Sequence, residues 1–489
     1  MAKEVNRGSI AVLGGGITGL TAAYRLQKAG FEVVLFEAGP ALGGQISSAR
    51  RDGFLLEGGP HTLLERGRLA DLIAELGLQG RVVEANPAAK KRFVVRDHLP
   101  HALPTSLGAF LNSPILSPLA KLRLLAEPFV AKGPGERDNS ESLADFITRR
   151  LGPEVLEFAV DPMVAGTFAG DSTKLSARHA FPKLFELEQT HGSLVGAGLA
   201  RVANRLRCLL KPGQSRDEAT PKKATRLINF DAGSQVLIDR LSGEIGKAPR
   251  LNCKVRTLEK KENGRWLIRF EEKDADAKIK DRQKTVDAVF CALPANALAD
   301  ISVRLHNADP AAPFEPLRGI EYAAVSVVSL GFRREDIEHP LDGFGMLVPR
   351  QEQRHILGTL FMSTLFAGRA PDGEVLLTTF VGGARNPEYA HLPSDEIYAR
   401  TLADLDDLLG VRGEPTLREH RFWGEAIPQY NVGYDAFETT LNTIEATHAG
   451  LFVGGSFRDG IAVPDRIGAG YDIAERIETY LDKATQAPS

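Results

Sequence analysis

Apolar and polar positions along this chain fall into blocks that change character several times. Residues 10–13 (IAVL) form a short unbroken apolar run stopped by glycines, the pattern of a buried strand. A second run, VVLFE, closes on Glu37. From about residue 85 the texture is proline-broken and helix-rich, and it stays so to about residue 211. Within it Val195, Leu199, Val202, Leu206 and Leu209 recur at steps of four and three, one helix face, with Arg201, Arg205, Arg207 and Lys211 interspersed. Residues 211–226 (KPGQSRDEATPKKATR) lack an apolar face and read as an exposed loop. Strand-like sequence returns in residues 250–272, a meander broken at Asn263-Gly264. Residues 286–294 (VDAVFCALP) predict a buried strand with a proline stop, and residues 324–332 and 374–383 predict a second sheet. Residues 450–481 close with a strand, a glycine-rich loop and a helix.

This order predicts an α/β chain with a Rossmann-like nucleotide domain assembled from residues 1–84, 212–300 and 416–489. A helical region at 85–211, a candidate for membrane contact, and a substrate-binding α+β sheet at 301–415 interrupt it. The strongest local signal is IAVLGGGITG followed by Glu37. Gly14, Gly16 and Gly19 fit the G-x-G-x-x-G turn, which lets backbone approach a pyrophosphate at a positive helix N-terminus. A carboxylate about twenty residues on accepts from ribose hydroxyls and disfavours a ribose phosphate.

At 489 residues the chain has room for two or three domains. Its 43% hydrophobic and 25% charged residues suit a soluble globular protein with a full core. A net charge of −3 gives no electrostatic case for nucleic acid as partner. Cys208, Cys253 and Cys291 lie far apart and form no C-x-x-C, so neither a disulfide framework nor a metal site is expected, and a reducing cytoplasm suits them. The first strand begins too near residue 1 for a signal peptide, and no run of about 18 uncharged apolar residues is present. A cytoplasmic location is expected. The basic amphipathic stretch at 191–211 either lies peripherally on an anionic bilayer or packs its stripe into the core, and the sequence leaves both open.

The glycine signature with Glu37, the Gly43-Gly44 doublet and the terminal glycine loop and helix together resemble the flavin amine oxidase superfamily. Within it, four segments resemble the oxygen-dependent protoporphyrinogen and coproporphyrinogen III oxidases. These are residues 160–194 (VDPMVAGTFAGDSTKLSARHAFPKLFELEQTHGSL), 229–241 (NFDAGSQVLIDRL, with Ala232 where the family has glycine), 344–383 and 422–434 (FWGEAIPQYNVGY). Two places depart from the pattern: Ala41 stands where the family often has arginine, and Asp465-Arg466 where it commonly has Asp-Cys.

The resemblance implies FAD, held non-covalently because no cysteine follows Cys291. It assigns cofactor contacts to Gly14, Gly15, Gly16, Ile17, Thr18, Gly19, Glu37, Gly43, Gly44, Gln45, Gly59, Pro60, His61, Thr62, Val255, Trp423, Ile461, Ala462 and Val463. For the substrate it implies Arg92 as a propionate-binding fork and Phe344, Leu347, Leu360 and Phe380 as walls of the macrocycle site. Backbone at Gly166 and Gly170 would lie beside the flavin. The implied reaction removes three hydrides from a tetrapyrrole in haem biosynthesis, with dioxygen as acceptor and hydrogen peroxide as product.

Residue chemistry alone allows plainer roles. Val255 is equally a core residue, His61 a satisfied polar group, and Trp423 a packing residue. Arg92 in the run Lys90-Lys91-Arg92 is equally a solvated charge, and the four wall residues are strand positions facing a core. Protoporphyrinogen IX is the favoured substrate; coproporphyrinogen III, with four propionates rather than two, would draw on Lys90, Lys91 and Arg96 as well. An amine oxidase, a carotenoid-type desaturase and a non-catalytic binding protein of the GDP-dissociation-inhibitor type are the alternatives, and oligomeric state stays open.

Overall fold

The computed structural model describes residues 7–133, 141–194, 196, 225–274, 276–305 and 309–486. The chain forms two compact units. The first comprises Met1–Ala85, Arg226–Glu321 and Ala436–Ser489; the second comprises Asn86–Thr225 and Tyr322–Asp435.

In the first unit four strands form a parallel sheet in the order Glu32–Phe36, Ser9–Leu13, Ala288–Cys291, Leu451–Val453. Ser9–Leu13 and Ala288–Cys291 are buried at every position, as strands covered on both faces must be, which is why they read as unbroken apolar runs. Helices Ile17–Lys28 and Val463–Gln486 supply Leu20, Ala23, Ile467 and Ile477 to the same core. The Asn263-Gly264 break is a hairpin between Cys253–Lys260 and Trp266–Lys273, with Gly264 at φ 77°.

The second unit is built on a seven-stranded sheet in the order Leu417–Pro428, Tyr322–Arg333, Glu374–Gly382, Ile356–Phe361, Gly343–Leu347, Lys91–Arg96, Leu99–Ala102. One face, with Phe93, Val328, Met346, Phe361 and Leu377, packs on helix Ser394–Leu409 through Ile397, Leu405 and Leu408. The opposite face carries Val325, Val327 and Leu357 against Ala165 and Ala169, at the end of helix Asp161–Phe168.

Several boundaries differ from the sequence expectation. Residues 301–321 belong to the first unit, because Ser302–Arg304 pairs with Thr257, Leu258 and Glu259. Leu417–Pro428 belongs to the second unit, because it pairs along Tyr322–Arg333 as an edge strand. Region 85–211 is not wholly helical: Lys91–Arg96 and Leu99–Ala102 form a hairpin that extends the sheet. The stripe from Val195 to Leu209 and Cys208 lie outside the described residues, as does nearly all of the expected 211–226 loop.

Arg150 is fully buried between Glu127 (2.6 Å) and Glu188 (3.3 Å), both also fully buried. This triad ties helix Leu143–Leu151 to helix Pro182–His191 and to the turn Glu127–Phe129. Removing the guanidinium leaves two carboxylates competing without their central cation in a desolvated site. Arg150→Met is expected to lower the stability of the second unit by about 3–5 kcal/mol, read as an earlier urea transition by tryptophan fluorescence and circular dichroism.

Candidate active site

In the first unit, strand Ser9–Leu13 ends at Gly14, whose φ of 107° suits glycine. A Cβ on Gly19 would stand 2.0 Å from the Gly14 carbonyl oxygen, so only glycine lets helix Ile17–Lys28 press onto the strand end. Gly16 caps that helix without any side-chain hydrogen bond, and a Cβ there would meet nothing within 4 Å. The outcome is an uncapped, positive helix end, carrying Ile17, Thr18 and Gly19, below open space. That is the arrangement a phosphate needs. The Gly43-Gly44 doublet lies on the same turn: Gly43 N–H donates to the Gly15 carbonyl at 2.8 Å, and Gly16 and Gly43 form a parallel bridge.

Glu37 is half-buried, and its two oxygens accept from different amides. Oε2 takes the Gly15 N–H at 2.8 Å and Oε1 the Gly39 N–H at 2.7 Å. The carboxylate is thereby fixed in place, and each oxygen keeps a lone pair for a ribose hydroxyl. These donors and acceptors fit a dinucleotide.

Residues 59–62 are held by a hub that sequence reading missed. Buried Glu57 accepts from Ser48 Oγ at 2.6 Å, Ser234 Oγ at 2.7 Å and Asn229 Nδ2 at 3.0 Å. Asn229 Nδ2 also reaches the His61 carbonyl at 2.8 Å, and Ser234 Oγ the Pro60 carbonyl at 3.2 Å. A Cβ on Gly59 would lie 1.9 Å from the Gln45 carbonyl oxygen, so Gln45 and the 59–62 loop are in direct contact. The signal was present: Glu57 ends the apolar run FLL, as Glu37 ends VVLF.

At the other end of the unit, Ile461 and Ala462 are half-buried and lead into helix Val463–Gln486. The Ala462 carbonyl accepts from Asp465 N–H (3.0 Å) and Arg466 N–H (3.1 Å), with Pro464 in the first turn. Asp465, at the departure from the family pattern, pairs with Arg66 at 2.7 Å. Asp459 accepts from Gly455 N–H at 2.7 Å, and its burial pushes its carboxyl above the usual range. Val255 is buried opposite Phe270 beside a bulge, as a core residue would be.

In the second unit the ladder register brings the expected wall residues together. Across it Arg92 is level with Gly345, Gly345 with Leu360, and Leu360 with Thr378. Two residues along, Leu347 pairs with Gly358 and Gly358 with Phe380. Directly opposed residues share a face, so Arg92, Leu347, Leu360 and Phe380 all project from the side opposite helix Ser394–Leu409. The Phe344 ring lies under the Arg92 guanidinium, 5.0 Å away. Gly166 meets this face: a Cβ there would lie 2.6 Å from Leu347 Cδ2. At Gly170 it would crowd Leu175 and Gln429, while Gln429 Nε2 donates to the Phe168 carbonyl at 2.9 Å. Asp161, which begins that helix, pairs with Arg385 at 2.7 Å and accepts from Ser172 Oγ at 2.7 Å.

Among the nearby cations, Lys91 pairs with Asp342, and Arg96 pairs with Glu154 at 2.8 Å and stacks on Phe158. Arg92 has no carboxylate in ion-pair range among the described residues. Trp423 is in the second unit, packed in the apolar cluster with Val325 and Phe380 and lying under Arg421.

Residues 17–477 match the model for flavin containing amine oxidoreductases. The chain is 34% identical to the mitochondrial protoporphyrinogen oxidase of Nicotiana tabacum, over 97% of this chain and 96% of that protein. It is 28% identical to the coproporphyrinogen III oxidase of Bacillus subtilis, over 96% and 98%. A solved chain from Exiguobacterium sp. 255-15 superposes with a TM-score of 0.75 at 24% identity, covering 96% of this chain and 98% of that one, and so shares its fold. The cofactor is FAD.

Glu37→Gln replaces one acceptor by an NH2 group aimed at a backbone N–H. It is expected to weaken FAD binding about tenfold or more, measured as flavin absorbance per protein after dialysis. By the glycine loop, the fixed Glu37 carboxylate and a family match running almost the length of the chain, this protein belongs to the flavin containing amine oxidoreductases and is an FAD-dependent oxidoreductase.

Proposed function

We propose that the chain oxidises a porphyrinogen to the corresponding porphyrin in haem biosynthesis, with protoporphyrinogen IX as the favoured substrate and dioxygen as electron acceptor. The observation that carries this reading is the in-register face of the second unit, where Arg92, with no carboxylate in ion-pair range among the described residues, stands level with Leu360 and beside Leu347 and Phe380. The relatives named protoporphyrinogen oxidase and coproporphyrinogen III oxidase support it.

A porphyrinogen is broad, largely apolar and edged with carboxylates. Apolar walls exclude water from its ring, and a planar guanidinium holds a propionate through two parallel hydrogen bonds. The Phe344 ring beneath Arg92 fixes the plane of the fork before substrate arrives. When bound, FAD supplies the two-electron acceptor for each hydride lost from a bridging carbon. The proton leaves from a pyrrole nitrogen, so no strong side-chain base is required. Backbone at Gly166 and Gly170 is assigned beside the flavin, and both are glycine because a Cβ would collide with Leu347 at the first and with Leu175 and Gln429 at the second. The FAD contacts assigned to the first unit are the glycine loop, Glu37, residues 43–45 and 59–62, and residues 461–463. Val255 and Trp423 are weaker members, since core packing accounts for both.

The reading extends to the membrane. Leu107, Leu119, Leu125 and Phe129 are 75%, 78%, 71% and 89% exposed along helices Leu107–Asn112 and Pro118–Leu125 and the following turn. Lys121 and Arg123 fall among them in sequence, half-buried, with Lys121 donating to the Leu111 and Ser113 carbonyls and Arg123 to the Arg149 carbonyl. Such a patch suits peripheral seating on an anionic bilayer, near a poorly soluble substrate. No helix among the described residues is long and apolar enough to cross one.

Two measurements test this. Anaerobically prepared protoporphyrinogen IX should give enzyme-dependent porphyrin fluorescence in air, and Arg92→Leu should lower kcat/KM about 10–100-fold, mainly through KM; no turnover by FAD-loaded enzyme with either porphyrinogen sinks the reading. In sedimentation with phosphatidylglycerol-containing vesicles, the Leu119→Ser/Leu125→Ser/Phe129→Ser triple variant should lose most binding while keeping its activity in detergent.

A further inference from the structure

Helix Asp161–Phe168 lies on the face that carries Leu347 and Phe380, and it decides how much of that face stays open. Gly166 rests on Leu347, while Ala165 and Ala169 pack with Val325, Val327, Leu357 and Phe380. That part of the face is closed to a ligand. Open ground begins where Gly166 ends: Leu347 stands two residues along its strand from Gly345, which is level with Arg92 and Leu360.

The helix grips the sheet weakly by itself. Its contact residues Ala165, Gly166 and Ala169 are small and offer little interdigitation to stop it sliding. One short loop holds both of its ends instead. Strand Glu374–Gly382, which carries Phe380, runs into Gly383, Ala384 and Arg385. The Ala384 N–H donates to the Ala169 carbonyl at 2.7 Å, just past the last turn of the helix. Gly383, at φ 74°, approaches so closely that a Cβ would stand 2.6 Å from the same oxygen. Arg385 takes the other end, where its Nη2 lies 2.7 Å from Asp161 Oδ2 and also donates to the Asp161 carbonyl. Both side chains are almost fully buried, 3% and 7% exposed. Asp161 Oδ1 accepts from Ser172 Oγ at 2.7 Å, which orients the carboxylate from a second side. A desolvated pair adds little net stability, since dehydration offsets the attraction, but its geometry is narrowly defined.

We propose that Arg385 is a positioning residue for the reaction. Through Asp161 it stops the helix from sliding, keeps Gly166 against Leu347 and so sets the edge at which the macrocycle stops. Being buried, Arg385 itself touches no substrate. The proposal rests on the porphyrinogen reading above.

The test compares parent, Arg385→Gln and Arg385→Lys holoenzymes, with flavin content and melting temperature measured on each. In Arg385→Gln, kcat/KM for protoporphyrinogen IX should fall about 10–100-fold. The Kd of protoporphyrin IX, from quenching of its fluorescence, should rise in parallel. Flavin content should match the parent, since the FAD contacts at the glycine loop, Glu37 and residues 461–463 lie in the first unit. Arg385→Lys should recover part of the loss, because an ammonium still meets the carboxylate. If Arg385→Gln does not fold, Asp161→Asn/Arg385→Gln leaves no unpaired charge and should show the same shifts. Leu347→Ala separates positioning from stability. It should weaken the parent yet change Arg385→Gln by less than about threefold, since the contact it removes is already lost. Losses that multiply in the double variant, or a lower melting temperature with kcat/KM and Kd unchanged, overturn the role of Arg385 alone. An FAD-loaded parent that oxidises neither porphyrinogen overturns the reading beneath it and the proposal together.

Discussion

The contact of Gly19 with the Gly14 carbonyl oxygen is the constraint around which the first unit is arranged. With a Cβ at 2.0 Å the helix would have to lift off the strand end, and the uncapped turn at Gly16 would no longer sit between Glu37 and Gly43. The amide of Gly15 is spent on Glu37 and its carbonyl on Gly43. Both partners of the turn are thus fixed by backbone groups, leaving the helix end itself for an anion. The Glu57 hub repeats this logic one layer away, where a single buried carboxylate orients three side chains and, through them, the carbonyls of Pro60 and His61.

In the second unit the comparable constraint is ladder register. A slip of one residue in Gly343–Leu347 would send Leu347 to the opposite face and bring Met346 out of its core. Gly345 and Gly358 pin this register, since a Cβ on either would meet backbone of the neighbouring strand, at 2.3 Å and 2.6 Å. The face that carries Arg92 follows from that alignment. The buried Arg150 triad and the Asp161–Arg385 pair hold the helices of the same unit, and each of these buried charges is neutralised by protein.

Much of this was readable in the chain. The glycine loop, Glu37, the Asn263-Gly264 hairpin and the strand at residues 288–291 are local features whose partners lie nearby or whose apolar runs announce burial. The allegiance of Leu417–Pro428 was not readable. Its sequence, LREHRFWGEAIP, is largely polar because it is an edge strand, and only pairing with Tyr322–Arg333 places it. Lys91–Arg96 hid in a helix-rich, proline-broken region because its hairpin is short and half exposed. Glu57 showed the same cue as Glu37 and was passed over.

The sequence by itself determined the turn chemistry, the acidic acceptor and the succession of buried strands, because these depend on residues close together along the chain. Only the tertiary structure decided which residues share a face and which cations find a distant partner. Arg92 and Arg96 are alike in sequence; what separates them is that Arg96 reaches the carboxylate of Glu154, more than fifty residues away. That is set by strand register and helix placement, which no local pattern encodes.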